Sequence, residues 1–188
     1  GHRLGDIRKV DACIDGGTIG DVLGRQLEGI HERVRQSTRL VTVTAGGNDL
    51  LGALFERGVD GLVRSTAAGI DRYARLAETV REAFPAAVIV LTTVYDPTDG
   101  SGQLPGLSDV VGTLPMEHLD RFNDAVREAA AAHHDTVLAD VHAHFLGHGT
   151  SAAEEERWYW LPNPIEPGAT GASEIRRVWL DALAPHLD

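Results

Sequence analysis

The stretch over residues 40–52, LVTVTAGGNDLLG, ends an apolar run in a glycine-rich polar turn and then resumes as an apolar helix. A buried strand that stops at such a turn and feeds a helix is typical of the active-site edge of an α/β protein. Asn48 and Asp49 are the polar side chains of this turn. The alternative is that one of them is only the N-cap of the helix.

A second group of reactive side chains follows the last predicted strand. His142 and His144 lie two residues apart after Asp140, and on a strand they would share a face and could bind a metal ion. Amidohydrolase barrels use such a His-x-His pair, but they need roughly 250 residues. This chain has 188 residues and lacks the alternating units of a barrel. We therefore predict neither a catalytic metal nor a cofactor.

Strands that alternate with helices must position these groups. Apolar runs and period-two alternation predict strands over residues 9–14, 40–44, 87–94 and 136–141. Helical spacing predicts helices over residues 18–34, from about 49 to 84 in a short and a longer piece, from 115 or 116 to 133, and within 168–183. This alternation predicts one three-layer, mostly parallel α/β domain without a linker or repeat.

The loops after the strands carry the functional groups in such a sheet. These loops are DGGT, AGGND, YDPTDGSG, and HAHFLGHG running on to WYWLPNPIEPGATGASE. Within them we expect Asp96 and Asp99 to make Asx-type turns. Trp158, Tyr159 and Trp160 could line an acyl or sugar pocket, but an aromatic cluster before a helix more often serves packing.

Four motifs, in order, resemble the SGNH/GDSL hydrolases. VTAGGND looks like the third block of that family, and CIDGGTIGDVL resembles its second block. RFNDAVREAA is similar to the helix before the last strand, and GATGASEIRRVW lies where the family has its last block. The resemblance covers nearly the whole chain and implies a flavodoxin-like α/β/α sandwich that acts as a serine ester hydrolase.

The resemblance also implies an oxyanion hole. By position, Gly16 would offer its backbone N–H and Asn48 its side-chain amide. A tetrahedral acyl intermediate needs donors aimed at its developing negative oxygen, and loss of one donor typically costs about 10²- to 10³-fold in rate. Glycine suits this role because it lets the backbone come close.

The nucleophile block of the family is missing. RLGDI contains Gly5 and Asp6 but has Ile7 where the serine would be, and too few residues precede it for a strand. The family has that strand between the strands predicted at Val10 and Leu40, and a sheet without it would leave unpaired edges. We therefore expect an upstream segment that carries the strand and the serine.

The general base is the second departure. The family has Asp-x-x-His in its last block, where this chain reads Asn163-Pro164-Ile165-Glu166. The candidate substitutes are Glu166 and three histidines, namely His142, His144 and His148. Histidine suits a base near neutral pH. A glutamate would need burial to raise its pKa, or it would instead orient a histidine. Among the histidines we favour His148, in the loop beyond the strand. For any single one of the three, the alternative of a hydrogen-bonded loop or core residue outweighs the catalytic role.

Composition excludes several other classes. The net charge of −11 argues against nucleic acid or an anionic membrane surface as the partner. No apolar run approaches the roughly 20 residues that span a bilayer. Cys13 is the single cysteine, which fits a reducing, cytoplasmic compartment. The only methionine is Met116, so the chain as given does not begin with an initiator residue.

The sequence thus predicts one SGNH-hydrolase-like domain over residues 1–188, with Gly16, Asn48, His148 and Glu166 as its site residues. The predicted activity is hydrolysis of an acyl or acetyl ester, and the predicted partner is a small-molecule or glycan ester. The alternative is a non-catalytic domain of the same fold that binds a glycan or acyl ligand. The sequence does not indicate an oligomeric state.

Overall fold

The computed structural model of the chain describes residues 8–186. The strands are β1 (Leu40–Val43), β2 (Val88–Thr92), β3 (Thr136–Ala139), β4 (Tyr159–Trp160) and β5 (Asn163–Pro167). The helices are α1 (Ile19–Asp21), α2 (Glu32–Ser37), α3 (Gly47–Ala83), α4 (Ser108–Val111), α5 (Glu117–Ala131), α6 (Val141–Phe145) and α7 (Ala169–Leu183). A π-helical turn (Val22–Gln26) follows α1, and 3₁₀ turns lie at Glu154–Glu156 and Ala184–His186.

The main sheet has three parallel strands in the order β1-β2-β3. Leu40 lies opposite Val88, and Thr92 lies opposite Ala139. The predicted parallel α/β fold is therefore confirmed, with strands one to three residues shorter than the sequence predicted. Strands β4 and β5 form a separate antiparallel pair, which the sequence reading missed.

Alternate residues of β2 point into two different cores, as expected for a strand covered on both faces. Ile89 and Leu91 pack against α3 and α5, whereas Val90 packs against α7 with Leu183. The buried side chains of α3 and α5 in the first core include Tyr73, Leu76, Val80, Phe122 and Val126. Helices on both sides of the sheet make the three predicted layers.

The turn between β1 and α3 requires glycine at one position. Gly46 has φ +111°, in the region that glycine favours. A Cβ there would lie 2.1 Å from the Phe122 ring, so the close approach of α5 also excludes a side chain. The predicted division into a short and a longer helix is confirmed, because Gly58 breaks α3 with φ +64° and ψ −161°.

The predicted strand over residues 9–14 is wrong. Residues 8–14 have no regular structure and are mostly exposed, and Val10 is 55% exposed. Asp11 instead accepts hydrogen bonds from Lys9 and from the Cys13 amide. Such local bonds compete with strand pairing, and among the described residues no strand lies beside this segment.

The first predicted helix is correct at its start and too long at its end. Thr18 caps α1 in a capping box with Asp21, as the sequence predicted. Gly24 has non-helical dihedral angles, and the helical run stops at about Gly29 before α2 begins. One continuous helix over residues 18–34 is therefore wrong, because two glycines interrupt it.

The predicted strand over residues 136–141 is also too long. It ends at Ala139, and Asp140 caps α6 by accepting a hydrogen bond from the Ala143 amide. His142 and His144 thus lie on a helix, about 200° apart at 3.6 residues per turn. The shared strand face on which the metal alternative depended does not exist.

None of the helices within residues 8–186 is both long and apolar enough to cross a bilayer. The Gly5-Asp6-Ile7 sequence, which has Ile7 where the nucleophile block would have its serine, lies outside the described residues.

Candidate active site

A cavity of about 380 Å³ opens at the carboxyl ends of β1 and β2, the edge where open α/β sheets bind their ligands. Its size falls within the range of small-molecule sites. Gly16, Asn48 and Glu166 all line this cavity. Three of the four predicted site residues therefore share one space, although they are as many as 150 positions apart in the sequence.

The Gly16 turn is held in place by local hydrogen bonds. The Gly17 amide donates to the Ile14 carbonyl over 3.0 Å, and Gly16 has φ +68°. On the far side of the turn, the Asp21 carboxylate accepts from the Thr18 amide and hydroxyl, both over 2.8 Å. The capping box of α1 thus fixes the backbone that would carry the first oxyanion donor.

Asn48 lies in the first turn of α3 and is exposed. Its side-chain amide nitrogen donates to the Gly17 carbonyl over 3.0 Å. An asparagine amide has two N–H groups, so the second remains available to a ligand in the cavity. Asn48 therefore contacts the turn that contains Gly16.

The N-cap alternative for Asn48 or Asp49 is wrong. The N-cap of α3 is Gly46, and no side chain caps this helix. Asp49 instead accepts a hydrogen bond from the Ile19 amide over 2.9 Å and lies 3.4 Å from Arg72. Burial raises the pKa of the Asp49 carboxyl above its ordinary value, against the opposing effects of the Ile19 amide and Arg72. Asp49 thus ties α1 to α3.

Glu166 reaches the cavity from β5. It is exposed, and the pairing of β5 with β4 fixes its backbone. Tyr95, three residues beyond the end of β2, lines the same cavity. Burial, and to a smaller extent the negative charge of Glu166, raises the pKa of the Tyr95 hydroxyl above its ordinary value. Tyr95 is therefore a neutral hydrogen-bond donor near Glu166 at physiological pH.

The three histidines are engaged elsewhere. The His148 ring stacks on Trp158 with ring centroids 3.5 Å apart, and its Nδ1 lies 2.7 Å from the Glu156 carbonyl oxygen. His144 Nε2 lies 2.7 Å from the Glu174 carboxylate, and His142 Nε2 lies 4.0 Å from the Asp120 carboxylate. None of the three is among the described residues that line the cavity.

The acidic side chains around the histidines serve the scaffold. The Asp140 carboxylate accepts from the Thr93 hydroxyl over 3.0 Å and from Arg127 Nε over 3.0 Å. Burial by itself would raise the pKa of Asp140, but the hydrogen bonds from Arg127, Ala143 and Thr93 hold it below its ordinary value. Within residues 8–186, no group of three or more histidine, cysteine or acidic side chains could hold a metal ion.

The predicted Asx turns are half right. Asp96 accepts from the Thr98 amide and hydroxyl and from the Gly100 amide, as an Asx-type turn requires. Asp99 instead accepts from the amides of Gly147 and Gly149, so it joins two loops that are distant in sequence.

Sequence reasoning missed two parts of the cavity. Tyr95 is the first residue of a predicted polar loop, and its position directly after the predicted strand over residues 87–94 is a signal for a site residue. The other part is an apolar wall, made largely of leucines from α3 and from residues 104–119. Helical spacing assigns such leucines to the core, and only the tertiary arrangement shows that they face a cavity.

Residues 2–172 match the model of the GDSL-like Lipase/Acylhydrolase family. No curated protein matches the sequence.

Several solved structures share the fold. A protein named as a GDSL-like lipase from Parabacteroides merdae is 17% identical with a TM-score of 0.64, covering 90% of this chain and 69% of its own. An extracellular lipase from Streptomyces rimosus is 25% identical with a TM-score of 0.59, covering 89% of this chain and 77% of its own. Phospholipase A1 from Streptomyces albidoflavus is 21% identical with the same TM-score and the same two coverages.

Proposed function

Because this chain belongs to the GDSL-like Lipase/Acylhydrolase family, we propose that it is a serine ester hydrolase that acts on an acyl or acetyl ester of a small molecule or glycan. One observation carries the proposal: Gly16, Asn48 and Glu166 line one cavity at the carboxyl edge of the sheet. Two neighbouring donors and a carboxylate in one space are the groups that acyl transfer needs around a nucleophile.

The nucleophile in this proposal is a serine on a further strand beside β1. Among residues 8–186, β1 has one partner, β2, and its other edge is unpaired. Leu40 and Thr42 of β1 are exposed, whereas a strand inside a parallel sheet is normally covered. A strand on that edge would end next to Thr44 and Asn48, at the mouth of the cavity.

The reaction follows the usual two steps of acyl transfer. The serine oxygen attacks the ester carbonyl carbon, its proton passes to the base, and the carbonyl oxygen becomes an oxyanion held by the Gly16 amide and the Asn48 side chain. The bond to the alcohol oxygen then breaks, and the alcohol leaves with that proton. Water attacks the acyl-serine in the same way, so that a carboxylic acid is released and the serine is restored.

Glu166 is the base in this proposal, since it is the candidate that lines the cavity. It stands in the last block where the family has its histidine, and the three histidines make other contacts. Tyr95 lies close enough for the charge of Glu166 to act on it and would orient the carboxylate. A carboxylate is a weaker base than histidine near neutral pH, so we expect slow turnover.

The test is hydrolysis of p-nitrophenyl butyrate by the full-length protein, followed by treatment with a serine-directed fluorophosphonate. We expect turnover that the phosphonate abolishes and a single labelled serine, identified by mass spectrometry of the digested protein. A labelled serine on a strand that cross-links to β1 would support the placement. Absence of both turnover and labelling would instead favour the alternative, a non-catalytic domain of this fold that binds a glycan or acyl ligand.

A further inference from the structure

The cavity continues from the polar site into an apolar space between two walls. Leu50, Leu51 and Leu54 come from the first turns of α3, and Leu104 and Leu107 come from the segment that faces them. Leu51 lies three residues after Asn48, on the same side of the helix. The helix that presents the candidate oxyanion donor therefore also forms the wall of the apolar space.

This geometry gives the apolar space a direction and a length. A ligand whose carbonyl oxygen lies at Asn48 can extend along α3 towards Leu54. Six residues of helix correspond to about 9 Å at 1.5 Å per residue. With carbon–carbon bonds of about 1.5 Å in a zigzag chain, this length accommodates roughly seven carbons beyond the carbonyl.

The charged groups of the cavity all have one sign. Asp15, Asp96 and Glu166 are its carboxyl side chains, and no lysine, arginine or histidine is among the described residues that line it. Like charges in one site repel each other, and no cation is available to compensate an anionic ligand. The cavity therefore disfavours a ligand that carries a negative charge near its ester group.

We propose that this cavity binds the straight acyl chain of an uncharged ester, with an optimum near eight carbons, and rejects esters with an anionic group next to the scissile bond. This inference rests on the proposed function, because it takes Asn48 as the carbonyl site. Hydrolysis adds water across the ester bond and releases an alcohol and a carboxylic acid. The acid ionises near neutral pH, so the same carboxylates that reject anionic esters favour release of this product.

Ligand binding tests the inference without requiring turnover. Octanamide and octanoate have nearly the same shape and differ in charge, so their dissociation constants can be compared by isothermal titration calorimetry at pH 7. We expect octanamide to bind at least tenfold more tightly than octanoate and at least tenfold more tightly than acetamide. Equal binding of octanamide and octanoate overturns the charge preference, and equal binding of octanamide and acetamide overturns the acyl site.

Variants locate the chain in the cavity. Leu51 is partly exposed, so Leu51→Trp fills the apolar space with little disturbance of the core, and Leu51→Phe is a smaller second variant if the first does not fold. We expect Leu51→Trp to weaken octanamide binding more than tenfold and acetamide binding less than twofold. The matched control is Leu180→Trp, at a position on α7 that is 56% exposed and outside the cavity, which should change neither. Unchanged octanamide binding in a folded Leu51→Trp variant overturns the placement.

A chain-length series gives the kinetic counterpart. For p-nitrophenyl esters from acetate to dodecanoate, kcat/KM should rise about fourfold per added methylene, the effect of burying one CH₂ group, and should level off near the octanoate. A flat series, or one that falls from acetate, overturns the acyl site. Failure of the proposed function has a different signature: no ester is hydrolysed, while octanamide still binds.

Discussion

Two asparagines at the carboxyl edge of the sheet differ in how fully their side chains are used. Asn123 of α5 is completely buried, and its amide both donates to the Val94 carbonyl over 2.9 Å and accepts from the Val94 amide over 2.8 Å. Asn48 of α3 is exposed, and its amide donates once, to the Gly17 carbonyl. Buried polar groups are hydrogen-bonded because an unpaired one is costly. The buried asparagine, whose amide both donates and accepts, is therefore scaffold, and the exposed one, which only donates, is a candidate for chemistry.

The same contrast holds for the regions around them. At the ends of β2 and β3, Thr93, Arg127 and Asp140 form one connected network with Asn123 nearby. At the end of β1, the turns of Gly16 and Asn48 touch each other but leave the cavity open. Acidic and histidine residues are abundant in the first region, so the abundance of reactive side-chain types alone would point to the ends of β2 and β3 and away from the proposed site at the end of β1.

The largest expected effect concerns Glu166. If Glu166 is the base, Glu166→Gln should lower kcat by about 10³-fold or more, because the amide cannot accept the serine proton. The melting temperature should stay within about 2 °C, since Glu166 is exposed and surface substitutions change stability little. Steady-state kinetics with p-nitrophenyl butyrate and a thermal melt measure both.

Histidine variants are the control for Glu166. His142→Ala, His144→Ala and His148→Ala should each keep turnover within about tenfold, since these side chains contact Asp120, Glu174 and Trp158 rather than the cavity. A loss of nearly all turnover in the His148 variant, with Glu166→Gln still active, would return the base to the histidine that the sequence favours.

Asn48 is expected to have the next largest effect. Asn48→Ala should lower kcat by about 10²- to 10³-fold, because it removes a donor used mainly in the transition state. Its stability should change little, since the side chain is exposed and makes one hydrogen bond. Unchanged turnover together with a lowered melting temperature would mean that Asn48 only holds the Gly17 loop.

Asn123 should show the reverse pattern. Asn123→Ala removes the buried side chain that pairs with the partly buried Val94 N–H and carbonyl, which we expect to lower the free energy of unfolding by about 2–4 kcal/mol. The variant that remains folded should retain kcat within about threefold. Urea denaturation measures the first quantity. If the two asparagine variants gave the same combination of effects, the distinction between scaffold and site would fail.

The sequence predicted the scaffold better than the site, for physical reasons. The strands of the sheet and their covering helices follow from local apolar periodicity, and Thr18 and Asp21 carry a capping box that is readable over four residues. The 9–14 segment failed because alternation alone does not supply a neighbouring strand, and His142 was assigned to a strand because the cap at Asp140 was not recognised. The juxtaposition of Asn48 with Glu166 depends on where the separate β4–β5 pair lies relative to the main sheet, which no local pattern encodes.

The smallest expected effect concerns Asp140. If its hydrogen bonds with Thr93 and Arg127 belong to the scaffold, they should stabilise the fold. Burial would raise the pKa of Asp140 above 3.8, but Arg127, Ala143 and Thr93 hold it lower. A carboxyl whose pKa is lower in the folded state stabilises the fold above its unfolded pKa, and this contribution is lost as the pH falls through the folded value. Asp140→Asn should therefore lower the free energy of unfolding by about 1 kcal/mol at pH 7, and the difference from the parent protein should shrink below about pH 4 and then vanish.

Asp124→Asn is the matched control, since Asp124 pairs with the same Arg127 at 2.9 Å but its side chain is 67% exposed, and exposed pairs contribute little. Urea denaturation of the three proteins between pH 3 and pH 7 measures the effect, and an equal loss from the two variants would show that burial of Asp140 adds nothing to its interaction with Arg127.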